Sequence, residues 1–318
     1  MYVPQSLFDA LQVLLSGAPR GELKKDAWEL SLRYRGEYGG DARRLQREAQ
    51  AKAYAAARMP ATFGAVFFAL GQALSCLSTR PLTLLDAGAG TGAAAWAADA
   101  LLDLNSVLCL EREEAMRSLG SLLMRSGPPA LANTRWVSHD LCSDPVPERA
   151  GLVTASYVLN EVDAALRPAV IGRLWEAAEQ MLLLVEPGTP AGFALLSAAR
   201  AQLLAMGAHM AAPCPHENAC PMAPNDWCHF ACRVPRTQVH RDVKGGDAPY
   251  EDEKFFYMAF TRESCHPAGG RILRHPLVHT GHVAAVVCGR DGIRREILTE
   301  KDGTRYKLMR KAHCGDPV

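Results

Sequence analysis

Residues 82–102 read LTLLDAGAGTGAAAWAADALL. An apolar run ends in Asp86, and Gly88, Gly90 and Gly92 follow at every second position before an alanine-rich segment with no helix breaker. Glycines let a chain turn sharply and let its backbone approach a ligand, and the helix that follows presents its N-terminus at the same point. The stretch therefore reads as strand, ligand-facing turn and helix, the opening unit of a nucleotide-type α/β fold.

The texture downstream agrees. LTLLDAG, SVLCLERE, TRWVSHD, GLVTASYVL and QMLLLVEPG read as five buried strands. AAAWAADALLDL, EEAMRSLGSLL, LRPAVIGRLWEAA and AGFALLSAARAQLLAMG read as the helices between and after them. Strands alternating with helices at this spacing predict an α/β, doubly wound parallel sheet. Upstream, DAWELSLRYRG and DARRLQREAQAKAYAAARM read as helices, and Pro60 sits near the start of a further helix, ATFGAVFFALGQALSCL, where proline is tolerated. Downstream, KFFYMAFTR and VAAVVCG read as strands, and GIRREILTE with TRYKLMRKA as a β-hairpin closed by Asp302-Gly303. The expected organisation is a helical lead-in (1–80), a Rossmann-like cofactor domain (81–210), a cysteine-rich metal loop (211–235), and completing strands with a basic C-terminal hairpin (236–318).

The chain has 318 residues, 48% apolar and 22% charged, with a net charge of +1. Those values suit a globular protein with a large core and exclude a polycation, so nucleic-acid affinity requires a local patch. The N-terminus lacks a basic region before its short apolar run, and no unbroken run approaches the ~18 apolar residues of a membrane span. A monomer without membrane contact is expected, in a bacterial-type cytoplasm or, in a eukaryote, an organelle matrix. In such compartments clustered cysteines more often bind metal than form disulfides.

The acid placed directly before the glycines favours a cofactor bearing an ammonium and a sulfonium over a pyrophosphate. S-adenosylmethionine fits, with Asp86, Gly88, Gly90 and Gly92 at the turn. Glu111, ending the second strand, is placed for the ribose hydroxyls, and Asp140, after the third, for the adenine edge. A dinucleotide remains the alternative, with Ala93 as the third small residue of that fingerprint. After the fourth strand stands YVLNEVD, where Asn160 and Glu161 are the candidate substrate-facing residues.

PCPHENACPMAPNDWCHFACR, residues 213–233, holds four of the ten cysteines. Cys214, Cys220 and Cys228 are separated by five and seven residues, and Cys288 ends a later strand. Four thiolates suit a 4Fe–4S cluster and equally a tetrahedral zinc. The wide spacing and the loop prolines favour a cluster, with Trp227 and Phe230 as shields and Cys232, His216 and His229 as spare ligands. Cys76, Cys109 and Cys142 read as small buried hydrophobes.

Together YAAARMPATFGAV, LLDAGAGTG, LLLVEPGTPAG, PCPHENACP with WCHF, and the basic C-terminal segment resemble the methyltransferase-like proteins of the mitochondrial small ribosomal subunit, the Rsm type, and their bacterial relatives. The resemblance implies a class I methyltransferase fold that binds S-adenosylmethionine. It also implies a 4Fe–4S cluster on Cys214, Cys220, Cys228 and Cys288, and association with the small ribosomal subunit during assembly. The expected activity is methyl transfer to ribosomal RNA. The alternatives are a catalytically inactive RNA-binding assembly protein and a zinc-stapled small-molecule methyltransferase.

From Arg271 to Ala312 the chain carries ten Lys and Arg against four Asp and Glu. Arg271, Arg274, Arg294, Arg295, Arg305, Lys307, Arg310 and Lys311 are thus candidate contacts to RNA phosphates. Arg33, Arg35, Arg43, Arg44 and Arg47 form a second basic group.

Overall fold

The structure, a computed structural model, describes residues 3–34, 47–236, 238–244 and 248–318. It opens on α1 (Gln5–Ser16), α2 (Arg20–Tyr34) and α3 (Glu48–Leu74). The sequence predicts a break at Pro60, but α3 is one helix running through it. Pro60 is buried amid Met59, Ala61, Phe63 and Val66, and that packing offsets the backbone bond the ring removes. An 18-residue window of α3 has a mean hydropathy of 1.2, so the helix is long and apolar enough to cross a membrane, although the sequence shows no unbroken run of that length. That window is 78% buried within the fold, as a core helix requires.

The central elements follow as β1 (Thr83–Ala87), α4 (Ala93–Asp99), β2 (Ser106–Glu111), α5 (Glu114–Met124), α6 (Pro129–Ala132), β3 (Arg135–Ser138), β4 (Ala150–Ser156), α7 (Arg167–Ala177), β5 (Ala178–Pro187) and α8 (Pro190–Ala205). β6 (His209–Ala212), β7 (Phe230–Pro235), α9 (Gln238–Lys244) and β8 (Tyr250–Thr261) complete the sheet. Its strand order is β3-β2-β1-β4-β5-β8-β6, with β7 also on β8. β1 to β5 are parallel, and β8 is antiparallel to β5. The doubly wound sheet expected from the sequence is therefore present. One strand departs from expectation: β3 is half exposed rather than buried, because it forms the sheet's edge.

The outer edge of β8 positions the cysteines. β6 pairs with residues 259–261 of β8, and β7 resumes on the same edge from Phe255 to Tyr250. The edge strand is thus split in two, and residues 213–229 are extruded between the halves. Residues 211–212 and 230–235, read from the sequence as loop, are strand.

β9 (Gly270–Ile272), β10 (Leu277–His279), β11 (His282–Gly289) and β12 (Gly292–Thr299) form a second sheet. It has a small core of Ile272, Val283, Ala285, Val287, Leu298, Tyr306 and Met309. Here the predicted hairpin is corrected. GIRREILT pairs backward with β11 around Arg290-Asp291, and TRYKLM is a helix, α10 (Thr304–Met309). The alternation of HVAAVVCG complements β12, while Tyr306 and Met309, three residues apart, bury one helical face.

Candidate functional site

The carboxyl ends of β1, β2, β3 and β4 open on a cleft of about 800 Å³, lined by Tyr54, Gly88, Gly90, Glu111, Arg112, Glu113, Met116, Asp140, Tyr157 and Glu161 among others. Ligand sites in open α/β sheets lie at this end of the strands. Gly88 and Gly90 have φ of +68° and +56°, which favour glycine. A Cβ on Gly88 would strike Val158 at 2.4 Å, whereas one on Gly90 would stand in open contact with Met116 and Tyr54. The bare backbone at Gly90 thus leaves the cleft floor free.

Glu111 ties the cleft together. Its carboxylate accepts hydrogen bonds from the backbone N–H groups of Gly90 and Glu113, both at 2.8 Å. Burial raises its pKa, against the pull of those two bonds. Asp140 accepts from Cys142 N at 2.8 Å and lies 3.8 Å from Arg112. Four carboxylates (Glu111, Glu113, Asp140 and Glu161) face one guanidinium, Arg112. Such a field suits a cationic ligand and opposes a pyrophosphate.

Other sequence candidates land elsewhere. Asp86 lies beneath the glycine turn, 1% exposed, and borders a small buried chamber with Thr62, Ala89, Thr91 and Ser156. Thr154 donates to its Oδ1 at 2.7 Å, Oδ2 has no partner among the described residues, and burial pushes its pKa up to about 7. The strand's own direction causes this, since Asp86 is the fourth residue of β1 and pairs with Cys109 inside the sheet. Gly92 caps α4 rather than lining the cleft; its φ is +85°, and a Cβ there would meet Met124 at 2.2 Å. Glu161 lines the cleft, but Asn160 does not. Asn160 sits in a one-turn helix held from below by Glu186, which accepts from Leu159 N at 2.9 Å. Cys142, read as a buried hydrophobe, is a half-buried wall of the cleft.

Sequence reasoning missed Tyr157. It is the one non-glycine residue with positive φ (58°) among the described residues, and it lines the cleft directly after β4. Strain of this kind collects at functional sites. Its hydroxyl donates to Glu253 at 3.0 Å, and Glu253 also takes both arms of Arg58 from α3 at 3.0 and 3.4 Å. No local signal in SYVLNE marks that conformation.

The second site lies at the split edge strand. Cys214, Cys220, Cys228 and Cys288, far apart in sequence, line one cavity of about 480 Å³ with His216, Met222, Phe230, Phe256, Arg200 and Arg271. Among the described residues, no three His, Cys, Asp or Glu side chains converge as a single-ion site. Burial pushes the Cys214 thiol up to about 11, and raises Cys228 and Cys288 as well. Burial thus favours the neutral thiol at each, and a bound cation would favour the thiolate. Arg200 donates to His216 O and Asn218 O at 3.0 and 2.8 Å, and Trp227 Nε1 donates to Gly188 O at 3.0 Å. Cys232 lies on β7 with a buried side chain and does not line the cavity.

The basic candidates divide. Arg271 is 3% exposed and donates to Pro213 O (3.1 Å), Gly315 O (2.9 Å) and Gln72, so it is structural rather than an RNA contact. Arg274 is held by Asp226 at 2.6 Å. Arg294 and Arg305 share Glu296 at 2.6 and 3.3 Å and remain exposed. Arg295, Lys307, Arg310 and Lys311 are exposed. In the second basic group Arg47 pairs with Asp26 at 2.9 Å, while Arg35, Arg43, Arg44 and the side chain of Arg33 lie outside the described residues.

A doubly wound sheet with one antiparallel strand, an acidic cleft at its glycine turn and a cysteine-lined cavity on a split edge strand defines a methyltransferase-like α/β protein with a second, thiol-rich site. The family model described as mitochondrial small ribosomal subunit Rsm22 matches residues 48–318, and the chain belongs to that family. It is 30% identical to the human ribosome assembly protein METTL17, mitochondrial, across 83% of this chain and 61% of that protein. It is 25% identical to the fission yeast Rsm22-cox11 tandem protein 2, mitochondrial, across 93% of this chain and 46% of that one. The chain thus spans about half to three-fifths of the length of these relatives. Solved structures similar to it include magnesium protoporphyrin IX methyltransferase from Synechocystis PCC 6803 with bound SAM, 15% identical, covering 73% of this chain and 90% of that one at a TM-score of 0.40.

Proposed function

We propose that this chain is an S-adenosylmethionine-dependent methyltransferase of small-subunit ribosome assembly, acting on ribosomal RNA, with a 4Fe–4S cluster at its cysteine site. The observation that carries the reading is the cleft: Gly88, Gly90, Glu111 and Asp140 meet there in a net acidic field. When bound, S-adenosylmethionine supplies a methyl group on a sulfonium. Glu111, already fixed by two backbone donors, keeps lone pairs for the ribose hydroxyls. Asp140 would take the adenine edge, and the bare Gly88 and Gly90 backbone would admit the methionine portion. Tyr157 and Glu161 form the rim at which a base would enter.

The ribosomal partner is supported by the printed name of the human relative and by exposed Arg294, Arg295, Arg305, Lys307, Arg310 and Lys311 on one small C-terminal unit. The cluster is supported by the four thiols on one cavity. Its role would be to join the extruded loop to β11, so that binding energy becomes folding energy. The named relatives are mitochondrial; a mitochondrial matrix or a bacterial cytosol keeps such thiols available.

Three measurements test the reading. Calorimetry should show S-adenosylmethionine binding, weakened at least tenfold in Glu111→Ala. Transfer of labelled methyl to small-subunit ribosomal RNA should follow. Binding without transfer would leave an inactive assembly protein, and no binding would remove the cofactor assignment. Anaerobic purification should give a brown protein with about four irons per chain, as ligation by four cysteines requires; one zinc instead would overturn the cluster.

A further inference from the structure

The second sheet has two faces, and its own small core closes only one. Val283, Ala285, Val287 and Leu298 are buried there with Tyr306 and Met309. Side chains alternate along a strand, so the intervening residues of β11 and β12 form the opposite face. The register aligns two rows on it. Leu277 of β10 pairs with Ala284, and Ala284 with Ile297 of β12; one step along, His279 pairs with His282, and His282 with Thr299. Leu277 and Ile297 are 59% and 57% exposed, so nothing in the fold covers them. The Thr280-Gly281 turn, with Gly281 at φ +76°, returns the chain so that the His279 and His282 rings stack, with centroids 4.7 Å apart and planes 17° from parallel. At the other end of the face Val286 and Cys288 pack against the main core, which anchors it.

The charges on this face have one sign. Arg295, opposite Val286, is exposed on it. Among the described residues of the face none is Asp or Glu. Asp302, just past its end, is taken up by Thr299, whose N–H and hydroxyl donate to it at 2.7 and 3.0 Å. The face therefore offers stacked imidazoles, aliphatic side chains and a guanidinium, and no carboxylate to repel a polyanion.

We infer that, given the ribosomal RNA partner proposed above, this face takes unpaired bases of that RNA. A base stacks on the His279–His282 pair, its neighbour rests on Leu277 and Ile297, and Arg295 takes a phosphate beside them. Imidazole rings and aliphatic groups match the flat, apolar face of a base, and every base has such a face, so the contact is tolerant of sequence. In a duplex those base faces are hidden in the stack, and the helix offers only groove edges, hydroxyls and phosphates. The sheet face thus selects single-stranded segments, whereas arginines and lysines hold phosphates of either form.

The test uses the full chain. Fluorescence anisotropy follows a short labelled oligoadenylate, alone and paired with oligouridylate, across a salt series. The parent should bind the single strand at least about fivefold more tightly than the duplex, the low end of what one stacked base contributes. His279→Ala should weaken single-strand binding by about fivefold or more, with Ile297→Ser acting in the same direction. Both should leave duplex binding and the salt slope unchanged, because no phosphate contact is lost. Leu277→Ser, on the same row as Ile297, replaces either variant should it fail to fold. Equal binding of the two RNA forms by the parent, unchanged single-strand binding in the variants, or a loss accompanied by a lower salt slope overturns the proposal while leaving the RNA partner in place. Variants that bind RNA as the parent does but no longer join isolated small subunits overturn it in favour of a protein on this face. Binding of neither RNA form by the parent removes the RNA partner itself, and the proposal with it.

Discussion

Arg271→Met removes a guanidinium that spans three parts of the fold while keeping most of the side chain's volume. The lost contacts are Pro213 O at the mouth of the cysteine loop, Gly315 O in the C-terminal tail, and Gln72 on α3. Arg271 is 3% exposed, so water does not replace them. Hydrogen bonds to a charged group contribute about 1.5–3 kcal/mol each, and three that are only partly independent give about 4 kcal/mol. That is at the upper end for a single substitution. With a urea dependence of about 3 kcal/mol per molar or somewhat more for a chain of this size, the unfolding midpoint should fall by about 1 M. Circular dichroism in a urea titration reads it. Arg295→Met, an exposed position on β12, should change stability by less than about 0.5 kcal/mol. If Arg271→Met instead left the midpoint within about 0.3 M of the parent while lowering the salt dependence of RNA binding by about one phosphate contact, Arg271 would be a phosphate ligand and the structural reading would be wrong.

Burial holds Asp86 and Glu186 up to about 7 and about 8, so the native state keeps protons that the unfolded chain releases. The stability this confers is complete at acid pH and is lost as pH rises through those values, by up to about 4 kcal/mol for Asp86 at about 1.4 kcal/mol per tenfold change in acidity. Urea midpoints should therefore fall on alkalinisation from about pH 4, where the unfolded carboxyls ionise, to about pH 8, where the native ones have done so, and less steeply in Asp86→Asn; a flat profile in the parent would contradict it. Gly92→Ala should destabilise by about 1–3 kcal/mol, because a left-handed φ combines with a clash on Met124, and a thermal melt unchanged from the parent would refute the contact. Exchanging Arg295, Lys307 and Lys311 together for Gln should lower small-subunit RNA affinity and its salt slope by about three contacts if that face tracks phosphates; filter binding across a salt series measures both.

The sheet was legible because parallel strands buried on both faces leave continuous apolar runs, and LTLLD, SVLCLE and MLLLVEP are such runs. Glu111 and Asp140 were legible for a related reason: they are acids at strand ends, where chain direction alone puts a residue at the cleft. Asp86 and Arg271 were not. Burial by partners distant in sequence converts each from a ligand candidate into a fold element, and composition carries no trace of Thr154 or Gly315. Tyr306 and Met309 show the same limit in the tail. TRYKLM passes for a strand until the small core of the second sheet selects a helical face. The cysteine set fared better, since four thiols draw attention wherever they lie. Their convergence depends on something the local pattern hides: an edge strand that stops at Ala212 and resumes at Phe230 on the same partner.

That interruption also explains how the two sites share a frame. β7 begins two residues beyond Cys228, and its Cys232 pairs with Glu253 of β8. Glu253 is the carboxylate that holds the Tyr157 hydroxyl at the cleft rim and Arg58 of α3. The residue that fixes the rim therefore sits on the strand pair that leaves the cysteine loop. It is 13% exposed in its side chain, with its guanidinium partner at 31%, so this ion pair is screened far less than one at the surface. Glu253→Gln would keep the shape and remove the charge, leaving Arg58 without its counterion and Tyr157 with a weaker acceptor. A double-mutant cycle with Tyr157→Phe, read as cofactor affinity, should give a non-additive term above about 0.5 kcal/mol, because the two residues share one hydrogen bond. Strict additivity would mean that the rim is set by the backbone of Tyr157 alone, through its bond to Val185 O at 2.8 Å, and that the β7–β8 pair has no part in it.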